Sequence, residues 1–163
     1  MINYLVGLFS SWPPELATFF LAMLPVGELR LAIPVAIFGL HLSKWSAYFW
    51  SVLGNLVPAL LILYFAKYFH NWVDKKSGFF GKRWINALDR AHKKFEGDYL
   101  KYRLVGLLIF IGVPLPLTGA WTGCLAAFVF GIPFKKAWPF VVGGVLLSGV
   151  LTLLLTVGAD KIF

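Results

Sequence analysis

Charge-free stretches divide the chain into apolar blocks separated by short polar or basic breaks. Residues 16–27, 31–43, 45–66, 104–134 and 137–159 contain no Asp, Glu, Lys or Arg. A helix that crosses the hydrocarbon core needs about 20 predominantly apolar residues. Residues 45–66 and 137–159 therefore each predict one transmembrane span. The two blocks flanking Glu28 and Arg30 are each too short to cross, and 104–134 is too long for one straight helix.

Both irregular blocks carry helix breakers near their middle. In the first, LPVGELRLAIP, the breakers are Pro25, Gly27 and, further on, Pro34. In the second, GVPLPLTGAWTG, they are Pro114, Pro116, Gly119 and Gly123. Proline removes a backbone donor and clashes with the preceding turn, and glycine relaxes the backbone. The pattern predicts two broken hairpins, one from helices over 14–24 and 28–40, the other from helices over 104–111 and 119–130. Lys101 and Arg103 precede the second block, and Lys135 and Lys136 follow it. Positive charge at both ends fits a segment that returns to the side it entered from.

The two halves align without a gap at an offset of 92 residues. PVGELRLAIPVAIFGLHLSK from Pro25 lies over LTGAWTGCLAAFVFGIPFKK from Leu117. Gly27 falls on Gly119, Phe38 on Phe130, Gly39 on Gly131 and Lys44 on Lys136. The same order recurs in each half: a broken block, a glycine, a lysine, a long span. The fold class expected is thus an all-α integral membrane protein of two inverted repeats, each a re-entrant helical hairpin followed by a transmembrane helix. One membrane domain covers residues 1–163, with repeat 1 over about 14–69, a linker over about 70–103 and repeat 2 over about 104–159. A hairpin returns and a span crosses, so the second repeat is upside down relative to the first, a plan common among secondary transporters.

Composition strengthens the membrane reading. The chain is 60% hydrophobic and 13% charged, against roughly 25% charged in soluble domains, and its mean hydropathy is +0.79. The net charge of +8 does not point to nucleic acid, because the cations are not spread over a soluble face. Most of them lie between Lys67 and Arg103. A basic segment beside long apolar runs predicts a cytoplasmic linker near anionic headgroups, with both termini outside and a multi-pass location in the cell membrane. Within the linker, Trp84, Leu88, Ala91 and Phe95 recur at helical spacing between basic residues, which reads either as an amphipathic helix at the membrane surface or as an ordinary cytoplasmic connector. The N-terminus does not read as a cleaved signal peptide. Cys124 is the single cysteine, so no disulfide forms within one chain.

Glu28 and Arg30 are the most informative candidates. A charge at membrane depth costs on the order of 2.5–3.5 kcal/mol on insertion scales, so such residues face partners or cavities. One reading makes Arg30 an anion-binding group, with Glu28 carrying a proton or orienting it. Another makes the two a structural ion pair that locks the hairpin. At the matching tip, Thr118, Trp121 and Thr122 stand where a half-helix N-terminus would present free N–H groups to an anion. They form either a substrate site or a helix cap. Asn55 in the first span reads as an interhelical hydrogen-bond partner, and Pro58 as a kink. His41, His70 and His92 are scattered, and no metal site, cofactor site or nucleophile–base pair is expected. The chain is not expected to be an enzyme.

At PVGELRLAIPVAI and PLPLTGAWTG the chain resembles the small multidrug export protein family, over about residues 19–155. More distantly, its paired hairpins are similar to the DedA or VTT membrane protein superfamily. The resemblance implies transport, and in the distant relatives the movement of lipids such as undecaprenyl phosphate. There the acidic and arginine residues at hairpin tips are implied to matter. Glu28 and Arg30 match that pattern in the first hairpin, whereas Ala120 and Thr122 occupy the aligned positions of the second. Three functions follow as expectations. The first is a transporter or lipid translocase that holds an anionic headgroup at Arg30 and the two tips. The second is proton-coupled export of cationic drugs through Glu28. The third is a non-transporting scaffold. Membrane lipids are the expected partners, and a homodimer suits a chain with little room to enclose a pathway.

Overall fold

A computed structural model describes residues 12–76, 99–115 and 118–160, and every regular element among them is helical. Helix α1 is Pro14–Met23 and α2 is Glu28–Pro34, followed by one π-helical turn, Val35–Gly39. Helix α3 is Lys44–Lys76, α4 is Tyr99–Gly112, α5 is Ala120–Val129 and α6 is Phe134–Asp160. Lys44–Phe65 and Phe134–Ala159 are the two helices among the described residues that are long and apolar enough to cross a membrane.

The breakers act where their chemistry predicts. Pro13 and Pro14 open α1, where the missing N–H of Pro14 costs nothing. The chain leaves α1 at Leu24 and turns through Pro25, Val26 and Gly27, with Gly27 at φ +96°. Pro34 is the last residue of α2 and leads directly into the π turn, in which the Leu40 N–H reaches back to the Val35 carbonyl at 3.0 Å. In the second half, Gly112 closes α4, and Gly119, at φ +150°, precedes α5. Pro116 and Leu117 lie outside the described residues, as do the linker positions Trp84, Leu88, Ala91 and Phe95. Helix boundaries overrun the charge-free blocks. Helix α3 continues past residue 69 to Lys76, and α4 begins at Tyr99, before Lys101 and Arg103. Lysine and arginine are good helix formers, so charge marks the edge of the apolar run and not the end of the helix.

Helices α3 and α6 are the central struts. Helix α1 packs along α3, and α4 packs along α6. Each strut also meets a short helix of the other half, α3 against α5 and α6 against α2. Small residues set these distances. A Cβ on Gly54 of α3 would stand 2.1 Å from the Phe19 carbonyl oxygen of α1. A Cβ on Gly144 of α6 would stand 2.8 Å from Ile111 Cβ and 3.0 Å from the Leu108 carbonyl oxygen of α4. In lipid there is no hydrophobic drive between helices, so close backbone approach and dispersion must hold them. Leu29, Ile33, Val52, Ile111, Val141 and Val145 form the core between the struts. Trp45 at the start of α3, Trp138 near the start of α6 and Tyr102 in α4 are exposed, as aromatic residues at a membrane interface are.

Candidate functional site

The two helix breaks meet in the middle of the bundle. Glu28 is the first residue of α2, and its backbone is left-handed, at φ +50°. A non-glycine residue held in that region costs on the order of 1–3 kcal/mol. The surrounding contacts must therefore fix it there, and those contacts are polar. The Glu28 side chain is 7% exposed, and its carboxylate caps α5. The N–H of Ala120 donates to Oε2 at 3.1 Å, and the N–H of Trp121 donates to Oε1 at 3.2 Å. Asn55 of α3 adds a longer bond, Nδ2 to Oε2 at 3.4 Å. A buried carboxylate needs such donors to offset its lost hydration, and the partial positive charge of a helix N-terminus favours it further.

Gly119 makes this approach feasible. A Cβ there would lie 2.5 Å and 2.7 Å from the two carboxylate oxygens of Glu28. Glycine at this position thus serves close approach as well as the positive φ.

Arg30, two residues on, performs the opposite task at the opposite helix end. Its Nη1 donates to the Leu115 carbonyl, and its Nη2 donates to the Val113 carbonyl at 3.3 Å and to Thr118 Oγ1 at 3.2 Å. These carbonyls lie just beyond the C-terminus of α4, where a helix end carries partial negative charge, and each also accepts a backbone N–H, Val113 from Leu115 at 2.9 Å and Leu115 from Thr118 at 3.3 Å. The Thr118 hydroxyl in turn lies 2.9 Å from the Leu115 carbonyl and 3.1 Å from that of Val113, and donates into the same turn. One short segment of the first half therefore supplies an anion for the start of α5 and a cation for the end of α4.

Of the two readings of the charged pair, the hydrogen bonds do not show an internal ion pair: apart from the Asn55 contact to Glu28, they run to the second half of the chain and not between the two side chains, because residues two apart on a helix do not face one another. The lock joins the two halves and is not internal to one hairpin. At the tip left open between substrate site and helix cap, the N–H groups of Ala120 and Trp121 are capped by Glu28.

The remaining candidates separate. Pro25, Gly27, Glu28, Arg30, Pro114, Thr118, Trp121 and Thr122 come together around one cavity of about 670 Å³, also lined by Val26, Leu31 and Leu115. Thr122 is exposed, and its hydroxyl donates to the Gly119 carbonyl at 3.3 Å within its own turn. Pro116 is not among the described residues. Asn55 is the residue the sequence under-weighted. It was legible as a polar group in an apolar span, but its partner was not. The Val113 and Leu115 carbonyls leave no side-chain signal at all. Five buried polar atoms find no hydrogen-bond partner among the described residues: Arg30 Nε, Trp121 Nε1, Asn55 Oδ1, Ser51 Oγ and Thr152 Oγ1. The first two are N–H donors on residues that line the cavity.

Comparison with known proteins adds one finding. A family model described as "Putative small multi-drug export protein" matches residues 28–151, from Glu28 through much of α6. No curated protein and no solved structure matches the chain.

Proposed function

The chain belongs to the small multi-drug export protein family, and on that premise we propose that it is a membrane transporter whose substrate occupies the cavity between the two helix breaks. The substrate class is an anionic amphiphile, such as a polyprenyl phosphate lipid. The architecture is a pair of inverted repeats, with α1–α2 and α4–α5 as re-entrant hairpins and α3 and α6 as the spans. Support for the repeats comes from the matched packing, in which each span lies against its own first hairpin arm and the other repeat's second arm.

The observation that carries the substrate class is the pair of unmet donors. Arg30 Nε and Trp121 Nε1 are both buried, both lack an acceptor, and both belong to residues lining one cavity. Buried polar groups without partners are rare in native structures; both atoms are closed off in this conformation, so an oxygen-rich anion would meet them as the cavity wall opens around it. Arg30 also places a formal positive charge beside the cavity, which disfavours a cation. The volume of about 670 Å³ lies within the roughly 300–1,000 Å³ usual for small-molecule sites.

Trp121→Phe is a cleaner test than Arg30→Ala, because it deletes one donor and leaves the interhalf lock intact. Thermal stabilisation of the purified protein by a polyprenyl phosphate is expected for the wild type and is expected to be lost in Trp121→Phe. Equal stabilisation of both proteins would remove Trp121 from the site. No stabilisation of either would sink the anionic reading.

Export of cationic drugs is the second reading, favoured by the family description and by the buried carboxylate of Glu28 beside the cavity. Stabilisation by a quaternary ammonium compound, lost in Glu28→Gln, is its signature.

A further inference from the structure

The buried polar atoms left without a partner among the described residues divide by chemistry. Arg30 Nε and Trp121 Nε1, on the cavity side, are donors. The others are oxygens: Ser51 Oγ and Asn55 Oδ1 on α3, and Thr152 Oγ1 on α6. None of these three residues lines the cavity at the breaks. Asn55 Oδ1 can only accept, and the other arm of its amide, Nδ2, is given to Glu28. A hydroxyl inside a helix can donate to the carbonyl four residues back. Thr18 does so to Pro14 at 2.7 Å, and Thr156 to Thr152 at 2.8 Å. The hydroxyls of Ser51 and Thr152 make no such bond.

Ser51 and Asn55 are one turn apart on a single face of α3, with Cβ atoms about 5–6 Å apart. Both are buried. Pro58, in the next turn, has no N–H to offer the Gly54 carbonyl, so that oxygen loses its helical donor beside Asn55. On the facing helix, Thr152 stands one turn past Gly149, where a Cβ would lie 2.7 Å from Tyr48 and 3.1 Å from Val52 of α3. Unmet oxygens close to a carboxylate suit either a cation or a water. Burial decides between them, because no water-sized space adjoins Ser51 Oγ or Asn55 Oδ1. A water stands about 2.7–2.8 Å from an oxygen it bonds, whereas an ion of the size of calcium or sodium stands about 2.3–2.6 Å away. Charge then selects the monovalent ion. Calcium prefers several carboxylates, and the one at hand, Glu28, already accepts from Ala120, Trp121 and Asn55. We propose that Ser51 Oγ, Asn55 Oδ1 and the Gly54 carbonyl bind a sodium ion, with the Glu28 carboxylate as the nearby countercharge and Thr152 Oγ1 as a further ligand from α6. Transporters bind coupling ions where helices are interrupted near the bilayer midplane. That this ion drives transport rests on the function proposed above, but its binding does not.

The test is the thermal midpoint of the full chain in detergent, without added polyprenyl phosphate, in sodium, potassium or choline chloride at equal ionic strength. The wild type is expected to melt higher in sodium than in either other salt, with a rise that saturates as sodium replaces choline. Ser51→Ala removes one ligand oxygen and, unlike a change at Asn55, leaves every printed contact of Glu28 in place. In choline this variant is expected to melt at or above the wild type, because an unmet buried hydroxyl costs stability. In sodium it is expected to melt below the wild type, with sodium bound about tenfold more weakly, the equivalent of one hydrogen bond to a charged group. A hydroxyl that merely packs would shift both salts alike. Trp121→Phe is expected to keep the full sodium response, so a failure of the anionic-substrate reading and a failure of this one are told apart. A wild-type midpoint no higher in sodium than in choline or potassium, or an undiminished sodium response in Ser51→Ala, would overturn the site.

Discussion

The two helix junctions are aligned in sequence but are built from different materials. The first, at 24–30, carries two formal charges, Glu28 and Arg30, and its backbone is strained at Glu28, at φ +50°. The second, at 113–119, carries no charged side chain, and Ala120 and Thr122 stand at the aligned positions. Read as a failed match, this weakens the case for related halves. In space it is a complement. The second junction interrupts a helix and so exposes a C-terminus and an N-terminus, which together amount to two opposite partial charges. The first junction supplies the side chains that answer them, Glu28 to Ala120 and Trp121, and Arg30 to Val113, Leu115 and Thr118. Charged side chains at both junctions would set like against like across the bundle.

The sharpest way to break this comparison is to remove the anion. Glu28→Ala leaves the Ala120 and Trp121 N–H groups unpaired and Arg30 without a nearby countercharge. Breaking a buried charged contact on one side costs about 3–5 kcal/mol, so a large fall in the thermal midpoint in a fixed detergent is expected. A midpoint unchanged from wild type would mean that the cap does not hold the halves together.

Exchanging the cation without removing its charge gives a smaller effect. Arg30→Lys keeps the positive end at α4 but loses the planar fork that reaches two carbonyls and a hydroxyl. A loss of about 1–2 kcal/mol is expected, since one charge-assisted hydrogen bond replaces three. If Lys stabilises as well as Arg, the interaction is a point charge with a helix end and the geometry is incidental. If Lys costs as much as Glu28→Ala, the fork carries more of the lock than the carboxylate does.

How far the sequence anticipates this arrangement depends on what kind of signal each part leaves. Pro25, Gly27, Pro114 and Gly119 announce the breaks because their backbone chemistry is local. The two membrane-capable helices are legible because membrane thickness fixes a length. Glu28 and Arg30 stand out because a charge in an apolar block is costly. Their partners are another matter. The acceptors of Arg30 include carbonyls 83 and 85 residues away, and a backbone carbonyl has no letter of its own. Gly119 reads as a helix opener, but its second task, making room for a carboxylate from the other half, becomes visible only when the halves are packed. The π turn after Pro34 is equally silent, since proline in a helix announces disturbance and not the form it takes.

Thr122 provides the finest division between cap and cavity. It aligns with Arg30, lines the same cavity and was read from sequence as part of a polar tip. Yet the residue is exposed and its hydroxyl donates to the Gly119 carbonyl, one turn back. The interhalf lock does not pass through it, so Thr122→Ala is expected to change stability by no more than about 0.5 kcal/mol, as for an ordinary surface position. Ligand response is the more telling measurement. In Glu28 and Arg30 a change of ligand response is confounded with a change in the lock, but in Thr122→Ala it is not. A variant that melts like wild type and still gains stability from a polyprenyl phosphate places the substrate contacts on the Trp121 side of the cavity. A variant that melts like wild type but no longer responds makes the Thr122 hydroxyl a substrate contact. The second junction would then divide its labour, with Thr118 serving the lock and Thr122 the ligand.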